Sequence, residues 1–279
     1  DGILTLEGKT TYSEAAAAKL NGCLVTVSSY KRDYLTLSKV NGKGASTALN
    51  LTTNRMGTKE LSAGARFFEQ VSNGRLVEID RSDITITSIP ANKITYVGYD
   101  WAGRVDKLVL NDVTGDCYDY GMIYYRAAGY EESKDDGSEG SYQNGEIRVT
   151  NGSHTDGVSY VVGSVDGAKT NRMGGVAGSL DQLDGKNRMA AFMPLNEATG
   201  IRRAQFDTDA MLLTTNSMVI PISDKVECYN KTTGDWFKPG EDGDHKAALN
   251  LALAFSDDIT VYYDRSPEEG GKVRIVVVE

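Results

Sequence analysis

Apolar and polar residues alternate with a period of two along most of this chain. The pattern is clear at residues 23–27, 34–37, 76–79, 84–86, 94–97, 104–110, 146–149, 159–162, 258–263 and 272–278. That spacing, rich in Val, Ile, Thr and Tyr, predicts half-buried strands. The turn dipeptides Asn21-Gly22, Asn41-Gly42, Asn73-Gly74, Asn144-Gly145, Asn151-Gly152 and Asp166-Gly167 punctuate them. Many short strands between Gly and Asn turns predict a mainly β protein of barrel- or sandwich-like modules. Helical signals are few. Residues 13–20 carry a Ser cap before an Ala run, and residues 245–255 form a second candidate. Residues 59–68 form a third, weakened by Gly64.

Two stretches repeat. Residues 94–110 and 259–278 both read Ile-Thr, an apolar or aromatic strand, Tyr-Asp, a Gly turn, a basic residue, then a Val-led strand. Upstream, Leu-Thr-Thr-Asn-Arg-Met at 51–56 matches Leu-Thr-Thr-Asn-Ser-Met at 213–218, and residues 1–6 echo 144–149. Repetition at domain scale predicts two tandem related β modules. They span residues 1–116 and 117–279, the second carrying a Gly-rich insertion around 150–205. A strand at 117–125 links the two, and the acidic run at 130–140 reads as a loop tip.

Composition narrows the function classes. The 279 residues carry 30 Lys and Arg against 39 Asp and Glu, a net charge of −9. That balance disfavours nucleic acid and anionic membrane surfaces as partners. No apolar stretch is long enough for a membrane-spanning helix. The opening Asp-Gly-Ile-Leu lacks Met and a leader, so the chain reads as a mature form or a segment of a longer protein. Cys23, Cys117 and Cys228 are odd in number and lack a CxxC pair, which predicts neither a disulfide framework nor a zinc ribbon.

The chain has no P-loop, no G-x-S-x-G elbow and no HExxH helix. Of its two histidines, His154 reads as a solvated turn residue, and His245 follows acidic residues at a helix start that need no catalytic role. Asp135-Asp136-Gly137 and Asp242-Gly243-Asp244 lack the spacing of a calcium loop. No cofactor and no metal site are expected. The candidate ligand-binding residues are Trp101 and Trp236, each beside a turn glycine where a ring can reach a partner.

Residues 107–121, 222–234, 258–264 and 271–277 resemble the repeated β modules of large secreted cell-surface proteins of Clostridia-type Firmicutes, proteins that carry S-layer homology domains elsewhere. The S-layer homology motif itself is not in this sequence. The resemblance implies an extracellular, non-catalytic structural, spacer or surface-display segment. Its partners would be other modules of the same surface protein or cell-wall glycan. The alternative is an adhesin-like carbohydrate- or peptide-binding module using the turn aromatics, and a third reading is an enzyme fragment with carboxylate chemistry.

Overall fold

The computed structural model describes residues 20–279 apart from 21, 32–33, 41, 73, 130, 134–138, 142–143, 164 and 184. The expected helix at 13–20 and the echo at residues 1–6 lie outside the described residues, save for Leu20. Strands β1 (Val25–Lys31) and β2 (Tyr34–Lys39) pair as a hairpin. A seven-stranded sheet follows, built from β3 (Leu49–Asn50), β4 (Arg55–Met56), β5 (Lys59–Gln70), β6 (Val77–Ile79), β7 (Ser88–Ile89), β8 (Ile94–Tyr99) and β9 (Val105–Asn111).

The middle of the chain forms a closed barrel of β10 (Asp119–Arg126), β13 (Gly145–Thr150), β14 (Val158–Val162), β15 (Arg172–Leu183) and β16 (Lys186–Pro194). Between β10 and β13, β11 (Glu131–Ser133) and β12 (Glu139–Ser141) pair antiparallel with each other. The Gly-rich stretch expected as an insertion supplies β14, β15 and β16. Glycine is required where backbones crowd: a Cβ on Gly121 would come within 2.2 Å of the Thr150 carbonyl oxygen.

A second seven-stranded sheet closes the fold. It contains β17 (Asn196–Ile201), β18 (Phe206–Asp207), β19 (Leu212–Thr214), β20 (Val219–Asn230), β21 (Asp235–Phe237), β22 (Ile259–Tyr263) and β23 (Val273–Val278). Helix α1 (His245–Phe255) lies between β21 and β22. Asp244 caps it, its side chain accepting from Ala247 N at 3.2 Å. The protein is mainly β with one α-helix among the described residues.

The two sheets share a pairing plan. In the first, β5 pairs parallel with β9 and antiparallel with β4 and β6, and β8 pairs antiparallel with β9. In the second, β20 pairs parallel with β23 and antiparallel with β19 and β21, and β22 pairs antiparallel with β23. The same unequal step breaks both parallel ladders, from Leu61↔Val105 to Arg66↔Lys107 and from Ile222↔Val273 to Glu227↔Ile275. Residues 94–110 and 259–278 therefore hold equivalent places in the two sheets.

Two expectations need correcting. Residues 59–68 are strand, not helix: β5 lies between β6 and β9, and ladder bonds on both sides override the Glu, Leu and Ala helix preference. The Leu-Thr-Thr-Asn match joins segments that are not equivalent. In the first sheet it forms the β3–β4 turn, where Asn50 Oδ1 accepts from Thr52 N at 3.0 Å and Thr53 N at 2.8 Å. The equivalent turn in the second sheet follows Asp207, whose Oδ1 accepts from Asp209 N at 3.1 Å and Ala210 N at 2.9 Å. Asn54 and Met211 close these turns with φ of 53° and 51°, and their carbonyls accept from Leu61 N and Ile222 N, both at 2.8 Å. Such an Asx turn tolerates varied sequence behind its first residue.

Each unit has its own core. Leu49, Phe67, Ile89, Leu108 and Leu110 fill the first sheet, Ile123, Ile147, Val149 and Val176 the barrel, and Ile220, Val226, Leu249, Val261 and Val276 the second sheet against α1. A fourth cluster joins Tyr118, Tyr120 and Ala177 to Ile275 and Val277. Strand β23 is buried on both faces, which is why it reads as an unbroken apolar run after Arg274. Burying each of its Val and Ile side chains contributes about 1.5–3 kcal/mol.

Candidate functional site: a buried charged junction

After β9 the chain leaves the first sheet through residues 112–116. Asp112 and Gly115 have φ of 52° and 77°, so the segment doubles back instead of extending. Glu69, fully buried near the end of β5, anchors its start. Its carboxylate accepts from Val113 N and Thr114 Oγ1, and from Thr114 N at 2.6 Å. Burial pushes the Glu69 carboxyl above the usual carboxylate range, against the pull of these donors.

The second sheet grips the same segment from the other side. Arg274, buried in β23, donates from Nη1 to Asp116 Oδ1 at 2.7 Å and to Ser223 Oγ at 3.1 Å. Its Nε donates to Asp264 Oδ2 at 2.9 Å, its Nη2 donates to the Thr114 carbonyl, and its guanidinium lies 4.8 Å from the centre of the Tyr120 ring. Lys272 Nζ donates to Asp116 Oδ2 at 3.3 Å and lies 3.8 Å from Asp83 Oδ1. Arg265 donates to the Val113 carbonyl at 2.9 Å and pairs with Asp112. Tyr120 OH donates to the Gly115 carbonyl at 2.9 Å. A Cβ on Gly115 would sit 2.5 Å from Asp264 Oδ2 and 2.6 Å from Arg274 Nη2, so only glycine fits there.

These charges are matched. Burial pushes the Asp116 carboxyl up, but the Arg274 and Lys272 charges outweigh it and hold the group below the usual carboxylate range. Buried ions keep their charge only with partners of this quality. Each Asp116 and Asp264 oxygen accepts at least one hydrogen bond, which leaves neither carboxylate poised as a free general base.

A further buried carboxylate ties the barrel to the second sheet. Glu227 in β20 accepts from Gly152 N at 2.8 Å and Ser153 Oγ at 2.9 Å, both in the β13–β14 turn. Burial raises its carboxyl above the ordinary range, and His245 Nδ1 lies 3.8 Å from its Oε1. His245 Nδ1 also sits 3.1 Å from the Val226 carbonyl oxygen, whereas His154 is exposed in the β13–β14 turn, where its backbone N donates to Asn151 Oδ1 at 2.7 Å.

The two sheets also share a side-chain latch. Asp100 Oδ1 accepts from Arg104 N at 2.9 Å across the β8–β9 hairpin, and Asp264 Oδ1 accepts from Lys272 N at 2.8 Å across the β22–β23 hairpin. In each, the Asp amide donates to the carbonyl of the same partner.

The expected site residues fall apart. Trp101 lies at the tip of the β8–β9 hairpin and is 96% exposed. Trp236 lies in β21, half-buried, its ring centre 4.9 Å from that of Tyr229 and packed on the cluster between barrel and second sheet. Neither lines the cavity of about 910 Å³ beside β1 and β2 or the cavity of about 640 Å³ between Thr85–Ser88 and Arg265–Glu269. None of the three cysteines is in a disulfide, and burial pushes the thiols of Cys117 and Cys228 well up. Among the described residues no three His, Cys, Asp or Glu side chains cluster to hold a metal ion, and no helix is long and apolar enough to cross a membrane.

Glu69, Asp116, Glu227, Asp264, Lys272 and Arg274 carry the junctions, and none was a candidate from sequence. One signal was present: Glu69 sits inside Phe67-Phe68-Glu69-Gln70-Val71, and Arg274 follows Val273 in a strand with no other polar residue before Glu279. A charge inside an apolar strand calls for a buried partner. No protein-family model, curated protein or solved structure matches the chain.

Proposed function

We propose that this chain is a non-catalytic structural segment of a bacterial cell-surface protein, a spacer or display element built from tandem β modules. The observation that carries this reading is the junction at residues 112–116. Its buried carboxylates and cations are spent on fixing one sheet to the next, the use expected of a chain whose task is to hold geometry. Net charge of −9, abundant Gly and Thr, and only 3 cysteines in 279 residues agree with an extracellular setting. The partners in this reading are further modules of the same surface protein.

A second reading, a carbohydrate- or peptide-binding module, is favoured by one observation, the nearly complete exposure of the Trp101 ring. Two experiments separate the readings. Labelling intact producing cells with a membrane-impermeant amine reagent should mark this segment, and a glycan array should show no saturable binding. Labelling only after lysis would remove the surface reading. Glycan binding lost on Trp101→Ala would replace the spacer with the adhesin.

A further inference from the structure

The second sheet's hairpin is a filled seat. Its tip residue Arg265 holds Asp112 and the Val113 carbonyl, and its strand residues Lys272 and Arg274 hold Asp116. The first sheet carries the equivalent hairpin with the same Asp latch, closed by a shorter connection, residues 101–103 against 265–271. Aligned through the strand pairings, Trp101 follows Asp100 as Arg265 follows Asp264, Arg104 stands where Lys272 stands, and Asp106 stands where Arg274 stands.

We infer that the β8–β9 hairpin is a docking seat for the strand-exit segment of a further module of this architecture, resting on the tandem-module reading above. The chemistry of the seat specifies the occupant. Trp101 replaces a cation with an exposed apolar ring, so the residue in the place of Asp112 is apolar. Asp106 replaces Arg274. Its Oδ2 accepts from Lys107 Nζ at 2.5 Å and its Oδ1 has no hydrogen-bond partner, so the residue in the place of Asp116 is a lysine or arginine that supplies the second oxygen's donor. The reversal of charge between seats would also keep the exit segments from exchanging places.

The test is a heteronuclear NMR titration of the whole isotope-labelled chain. The probe is a peptide copying residues 111–118 with Asp112→Leu, Asp116→Lys and Cys117→Ser. Docking between linked modules runs at an effective concentration of about millimolar, so a comparable dissociation constant suffices. Saturable shifts should appear at Gly98 to Asp106. They should weaken about tenfold, a loss of about 1.4 kcal/mol, in both Trp101→Ala and Asp106→Asn. Trp101 is in solvent, so Trp101→Ala removes no packed contact, and Asp106→Asn keeps the shape of a part-buried side chain. Absence of saturable shifts up to about 5 mM peptide, or shifts untouched by both variants, would overturn the inference. So would equal binding of the unaltered acidic peptide at these residues. Failure here would leave the spacer reading standing on its filled junction, whereas glycan binding would remove that reading without emptying the seat.

Discussion

Arg274 Nη1 donates to Asp116 Oδ1 at 2.7 Å across 158 residues of chain. Through this bond the last strand of the second sheet holds the segment by which the chain leaves the first. Removing the cation uncouples Asp116 and Asp264 together, and breaking a buried pair from one side costs about 3–5 kcal/mol. Arg274→Met should therefore lower stability by about that amount in urea unfolding. Asp116→Asn should cost less, because Asp264 still neutralises Arg274. Equal losses would mean that Asp264 contributes nothing to the grip.

Acid should act on the two junction carboxylates in opposite senses. Glu69 has a raised carboxyl in the fold, so the folded state takes up its proton first. Stability is gained as pH falls from the raised value towards the ordinary one. Asp116 has a lowered carboxyl, so its contribution is complete above the ordinary carboxylate range and is lost as pH falls through its folded value. In Asp116→Asn the loss of stability below the ordinary range should shrink, and in Glu69→Gln the gain above it should vanish. Unfolding curves at closely spaced pH values measure both. Profiles unchanged by the two substitutions would contradict the assignment.

The two tryptophans should separate in fluorescence. Iodide should quench Trp101 strongly and Trp236 weakly, since one ring is in solvent and the other lies against Tyr229. Trp101→Phe should leave a blue-shifted, poorly quenched emission. Strong residual quenching in that variant would place Trp236 in solvent instead.

Gly115→Ala should be far more damaging than Gly185→Ala, although both glycines have positive φ, 77° and 75°. A Cβ at Gly115 meets Asp264 and Arg274, whereas at Gly185 it meets nothing within 4 Å. The strain of the left-handed backbone is common to both, so the difference in unfolding free energy isolates the crowding at the junction. Similar losses would show that the junction relaxes around an added methyl.

Much of the fold was legible because strands and hairpins are local. The alternation at 94–110 and 259–278 marks hairpins that the structure places equivalently in the two sheets. The Leu-Thr-Thr-Asn match misled because such a turn needs only its first side chain and the backbone amides after it: Asn50 and Asp207 form the same turn with no common residue behind them. The helix expected at 59–68 misled for a related reason, since neighbouring strands decide the state of β5. The junction was hidden because its members are far apart in sequence. Asp116 and Arg274 each look like a solvated charge until topology brings them together, and only the apolar run around Arg274 hinted otherwise.

The central claim is that this junction welds the two sheets into one stiff unit. The most direct measurement is a pulsed electron-spin distance between labels at Thr53→Cys and Ser217→Cys, exposed turn positions of the first and second sheets, in a Cys23→Ser background. A single narrow distance distribution is predicted, broadening when Arg274→Met is added. A broad distribution in the parent protein, or a narrow one unaltered by Arg274→Met, would contradict the account.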